Sequence, residues 1–179
     1  MATLPADPFA SGIAAFAEDL RAGRTSSVAA TEACLERIAA LNPKLDAFQL
    51  VDGTRARAAA AAIDALLAAG TDLGPLMGVP IGVKDIIAVE GLPTTNGSLY
   101  QTAHLNGPEG TIVQRLKEAG CVILGKTKTV EFALGATGVN EARGTPWNPW
   151  DSSIHRIPGG SSSGSAVATA AGLCAFALG

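Results

Sequence analysis

Residues 158–166 read Pro-Gly-Gly-Ser-Ser-Ser-Gly-Ser-Ala, and residues 78–86 read Gly-Val-Pro-Ile-Gly-Val-Lys-Asp-Ile. The first segment offers hydroxyls and backbone N–H groups on small residues that a substrate can approach closely. The second sets Lys84 in an apolar, strand-like run. Together they suggest serine chemistry with a lysine base. A lysine accepts a proton only as the free amine, so its pKa must fall from roughly 10.4 toward neutrality, which burial among apolar neighbours achieves. Asp85 follows directly, but side chains alternate along a strand, so the two are expected on opposite faces and not as an ion pair. The separation matters because a salt-bridged lysine keeps its proton.

These two segments closely resemble the boxes of the amidase signature family, hydrolases of carboxamide C–N bonds. Gly78, Val79, Pro80, Lys84 and Asp85 match one box. Gly159, Gly160, Ser161, Ser162, Gly164 and Ser165 match the serine- and glycine-rich signature, led in by Asn148-Pro149-Trp150-Asp151. Arg37-Ile38, Leu41-Asn42-Pro43, Pro93 to Ser98, Ala119-Gly120 and Ile123 to Thr127 extend the likeness over most of the chain.

The resemblance implies an α/β fold: the N-terminal part of an α/β/α domain with a central mixed sheet. Residues 1–72 would form its N-terminal helical segment and residues 73–179 the first part of its core. It further implies a Ser–Ser–Lys triad with Lys84 as base and Ser161 as the bridging serine, the Gly160–Ser161 peptide being cis. Ser162, Gly160 and Gly159 are expected as supporting positions. The family pattern singles out Ser161; spacing within the sequence does not. The nucleophilic serine is expected in a further glycine-rich segment beyond Gly179, so none is assigned in this chain. The activity implied is hydrolysis of a small-molecule amide through an acyl-enzyme, without cofactor or metal. Alternatives are the A subunit of a tRNA-dependent amidotransferase and a non-catalytic remnant that binds or assembles. A homo-oligomer or a small partner subunit is compatible with either enzyme.

The 179 residues suffice for a core and one domain. A net charge of −3 without a basic cluster argues against nucleic acid as a partner. Cys34, Cys121 and Cys174 are widely spaced, with no Cys-x-x-Cys pair, and read as buried small hydrophobes in a reducing cytoplasm. Asp7, Glu18 and Asp19 stand where a signal peptide would be basic and then apolar. The apolar run 166–178 is shorter than the roughly 20 residues a bilayer requires, and is read as a buried helix from about Ser165 to Leu178.

Elements to position the two segments follow from periodicity. Ile13, Phe16, Ala17 and Leu20 mark a helix that stops at Gly23. A second, capped by Ser26 or Ser27, carries Val28, Leu35, Ile38 and Leu41 and ends at Pro43. A third runs from about Thr54 to Ala69, with Ile63, Leu66 and Leu67 buried. Beyond Leu73, short apolar runs suggest a central strand at 79–87, a helix at 111–119 and a strand at 121–124. A long loop, 135–164, leads to a helix for which Ser163 or Ser165 is the expected cap.

Gly120 to Thr127 fits the phosphate-loop pattern G-x-x-x-x-G-K-[ST] letter for letter. Its four variable residues are, however, the expected strand itself, which leaves no open loop to cradle phosphates. Lys126 is therefore expected to end that strand facing solvent or a carboxylate. His104 and His155 lack partners at ligand spacing. Trp147 and Trp150 are expected to pin their loop to the core more than to line a substrate entrance.

Overall fold

A computed structural model describes residues 4–179. Four strands form one mixed sheet in the order β1-β3-β2-β4: β1 is Phe48–Val51, β2 Pro80–Lys84, β3 Val122–Thr127 and β4 Phe176–Leu178. β3 runs antiparallel to β1 and parallel to β2, and β4 is parallel to β2. Helices α1 (Gly12–Arg21), α2 (Ser27–Leu45), α3 (Gly53–Ala68), α4 (Thr111–Glu118) and α5 (Ser163–Ala170) complete the frame. The expected α/β class with a mixed sheet is what the chain adopts.

Strand alternation distributes side chains to two cores. Ile81 and Val83 of β2 enter a cluster with Phe16, Leu20, Val79 and Val113. Val122 and Leu124 of β3 enter another with Leu35, Ile38, Ala56, Ala60 and Val167. Every residue of β2 is buried, as befits a strand between two neighbours with both faces covered. Gly82 and Lys84 share the face opposite Ile81 and Val83.

Several local expectations are corrected. α2 runs past Pro43 to Leu45. A proline in the last turn removes one N–H, and Asn42 secures the chain beyond it. Its carbonyl takes the Asp46 N–H at 2.8 Å, and its Oδ1 takes those of Ala47 and Phe48 at 2.8 and 2.9 Å. Ser26 Oγ caps α2 by accepting the Ala29 N–H. Val28 and Leu66, expected inside, are exposed; Ile63 is buried as expected and Leu67 partly so, while Ala56 and Ala60 complete the buried stripe of α3. Residues 48–51, within the stretch 1–72 expected to be helical, supply β1, so that stretch shares its sheet with the core. The expected helix to Leu178 stops at Ala170. Gly172 turns the chain at φ +62°, and residues 176–178 pair along β2 as β4. A short apolar run has no period that separates helix from strand, and β2 offers a partner edge.

Among the described residues no helix is long and apolar enough to cross a membrane. The three cysteines are free and buried.

Candidate active site

Lys84 is the last residue of β2, and its side chain rises from the buried face toward the start of α5. Its Nζ donates to Ser161 Oγ and Ser162 Oγ, each at 2.8 Å. Lys84 is only 4% exposed, and burial alone pushes its amine below the usual lysine range. No carboxylate offsets that effect. The lysine therefore sits in hydroxyl company, where loss of its proton leaves an acceptor already aimed at two O–H groups.

The glycine-serine segment is held from both sides. Ser161 O accepts the Val130 N–H at 3.0 Å and the Thr129 hydroxyl at 3.2 Å, and the Gly164 N–H donates to Lys128 O at 2.9 Å. Gly159, at φ +82°, donates its N–H to Thr137 O. The Gly160–Ser161 peptide is cis. A Cβ on Gly160 would come within 2.7 Å of Gly138 N and 2.9 Å of Gly135 O, so only glycine fits beside that turn. The structure thus brings Ser161 and Ser162 into direct contact with Lys84, with Gly159 and Gly160 immediately before them in the turn.

Ser163 and Ser165 do not cap α5. Ser162 is the residue before the helix and makes no capping bond there. The Ser165 hydroxyl bonds Thr127 Oγ1 at 2.7 Å, joining α5 to the end of β3. Ser163 Oγ is buried without a partner.

Asp85 turns away from Lys84. Its carboxylate takes the Lys126 ammonium at 2.9 Å, the Thr95 hydroxyl at 2.5 Å and the Thr95 N–H at 3.2 Å. Lys126, of the two partners expected for it, faces the carboxylate, and it is fully buried within β3 rather than in an open loop. The letter-for-letter phosphate-loop match is thus a sheet strand. Thr94 and Thr95 lie in the Pro93–Ser98 run that carries the family likeness, but the sequence assigns neither a role; the only signal is a polar interruption between apolar stretches.

Trp147 packs against the core, stacked on His155 at 4.4 Å between ring centroids. Trp150 does not pin the loop: it is 87% exposed. His155 Nε2 lies 3.2 Å from Pro146 O, and His104 is exposed. Among the described residues no group of three or more His, Cys, Asp or Glu is placed to hold a metal ion. A cleft of about 650 Å³ lies between segments 88–95 and 99–109 and touches neither Lys84 nor its serines.

A mixed α/β sheet that ends a strand in a buried lysine, hydrogen-bonded to paired serines of a glycine-rich turn, defines a serine–lysine protein. The chain belongs to the amidase family, whose model matches residues 29–179. It is 46% identical over 167 residues to the 2-amino-5-chloromuconic acid deaminase of Comamonas testosteroni, covering 93% of this chain and 36% of that protein. It is 48% identical over 160 residues to the A subunit of the glutamyl-tRNA(Gln) amidotransferase of Acidothermus cellulolyticus, covering 89% and 31%. Among solved structures, the native peptide amidase of Stenotrophomonas maltophilia superposes with a TM-score of 0.85 at 36% identity, over 96% of this chain and 36% of that one. The chain thus spans about a third of the length of these relatives.

Proposed function

We propose that the polypeptide carrying these residues is an amidase that hydrolyses a carboxamide C–N bond through a covalent acyl-enzyme. Lys84 is the general base and Ser161 the bridging serine, with Ser162 a supporting hydroxyl and Gly159 and Gly160 the close-approach backbone. The observation that carries this reading is the 2.8 Å contact between Lys84 Nζ and Ser161 Oγ in a buried setting.

The neutral amine takes the Ser161 proton while Ser161 takes the proton of a nucleophilic serine, to which no residue of 1–179 is assigned. The freed alkoxide adds to the amide carbonyl carbon. Collapse of the tetrahedral adduct breaks the C–N bond as the proton stored on Lys84 returns through Ser161 to the departing nitrogen. Ammonia or an amine leaves, and water, deprotonated by the same relay, releases the acid and restores the serine. The substrate class is a small amide. The three free thiols support a reducing compartment such as the cytoplasm.

The second reading, the A subunit of an amidotransferase, rests on the relative that bears that name. Release of ammonia or amine from a panel of linear amides, glutamine included, tests both. Turnover that Lys84→Ala removes supports the amidase. Turnover of glutamine that requires an added partner favours the second reading. No turnover of any amide, with or without a partner, overturns both.

A further inference from the structure

Lys126 is fully buried, and its three protons each have an acceptor: Asp85 Oδ1 at 2.9 Å, Thr94 Oγ1 at 2.8 Å and Pro93 O at 3.3 Å. Such a shell fits an ammonium and leaves no donor idle. Asp85 is equally enclosed, 1% exposed, and its N–H donates to Thr127 O, which prolongs the β2–β3 pairing by one residue beyond Lys84. Two lysines therefore stand at the same end of the sheet, one among hydroxyls and one against a carboxylate.

We infer that Lys126 is a positioning residue for Lys84: by closing an ion pair with Asp85 behind β2, it neutralises the carboxylate next to the base and leaves Lys84 free to release its proton. The inference rests on the reading of Lys84 as the base. The same ion pair fixes the Pro93–Asn96 turn, since the Asp85 carboxylate also takes Thr95 and the Asp85 carbonyl takes the Asn96 N–H at 2.9 Å.

Among the described residues no other charge competes for this role in the elements packed on β2. On α1 and α4, Glu18 is exposed, Asp19 pairs with Arg24, Arg21 with Asp72, Arg115 with Glu118 and Lys117 with Glu109. β4 and α5 carry no titratable side chain, and β3 contributes only Lys126. On α2, Glu32 is held by Arg57, Arg37 by the carbonyls of Ala171 and Gly172, and Lys44 by Ser152 O, while Glu36 is exposed. Beyond β3, Lys128 is taken by Asp46, and Glu131 lies in the next turn. A buried carboxylate deprived of its cation attracts the proton of a neighbouring lysine, whereas a buried cation deprived of its carboxylate repels it.

The test follows Lys84 directly, through its isotope-labelled ε-methylene resonance titrated with pH. Lys126→Met is expected to raise the Lys84 midpoint by about one pH unit or more, and Lys126→Met/Asp85→Asn to return it to the wild-type value. Asp85→Asn alone is expected to lower it, so a Lys126→Met that does not fold leaves a second measurement of opposite sign. The acid limb of kcat/KM moves with the midpoint. A merely structural pair would lower stability and leave the midpoint in place, and an unmoved Lys84 in any folded single variant overturns the inference. Absent amide hydrolysis with a midpoint that moves as described would sink the amidase reading and leave the coupling standing.

Discussion

The Lys84 amine donates to the Ser161 hydroxyl at 2.8 Å across the gap between the end of β2 and the turn before α5. That contact joins two segments far apart in sequence, each held in place independently. β2 fixes Lys84 by pairing with strands on both sides, and Ser161 is tethered through its carbonyl to Val130 and Thr129.

In the proposed mechanism, removing either partner breaks the proton path. In the polypeptide carrying these residues, Lys84→Ala is expected to lower kcat by about 10²–10⁴-fold, the range for loss of a positioned base. Ser161→Ala is expected to do the same. The double variant should be little worse than either single one, because groups that act as one relay are not additive. Additive losses in steady-state kinetics would show that the two act separately. Ser162→Ala removes only the second hydroxyl on Lys84 and is expected to cost less than Ser161→Ala.

Burial depresses the Lys84 amine below its ordinary value of 10.5. Activity is therefore expected to rise with pH through that lowered midpoint. For stability, the unfolded chain holds more protons than the folded one between the lowered midpoint and 10.5, so this group makes the fold more stable as pH rises across that window. Below the window both states are protonated and the desolvation penalty is fully present. Denaturant unfolding of wild type against Lys84→Met checks the sign: the difference should move in favour of wild type as pH climbs.

The thiols behave in the opposite sense. Burial pushes Cys34 up to about 12, Cys121 to about 11 and Cys174 to about 12. None is expected to react with a chromogenic disulfide reagent at about pH 8 in the folded protein, and all three should react in denaturant. Because the unfolded thiols ionise near 9.0 while the folded ones do not, they withdraw stability as pH rises above that value. A thiol that labels at once in the native state would contradict its burial.

That a lysine meets a serine is legible in the sequence because Lys84 and the serine run 161–163 lie in short boxes whose residue types fit one chemistry, but it is the resemblance to the family that picks out Ser161. The order of most helices and strands follows from apolar periodicity. What escapes is decided by distant partners. β1 is four residues whose last is exposed, with no alternation long enough to read, and it becomes a strand only because β3 pairs with it. β4 reads as the end of a helix until β2 supplies an edge. The Lys126–Asp85 pair joins residues 85 and 126, which only the parallel β2–β3 register brings side by side. Ser165 reads as a cap and instead bonds Thr127, because the cross-connection to β3 satisfies its hydroxyl inside the core.

The turn itself supplies a test that leaves every hydroxyl in place. Gly160 adjoins the backbone of Gly138 and Gly135, and a methyl group there would lie 2.7 Å from one nitrogen and 2.9 Å from one oxygen. Backbone atoms of a neighbouring loop cannot swing aside as a flexible side chain can. Gly160→Ala must therefore push the turn away from the 135–138 segment and carry Ser161 with it, at a cost of about 1–3 kcal/mol, the range for overpacking. Because misplacing a catalytic group by about 1 Å is worth on the order of 10²-fold in rate, activity should fall much further than stability. Thermal unfolding and kcat measured on the same preparation separate the two, and a Gly160→Ala protein with wild-type turnover would show that the position of Ser161 does not depend on this contact.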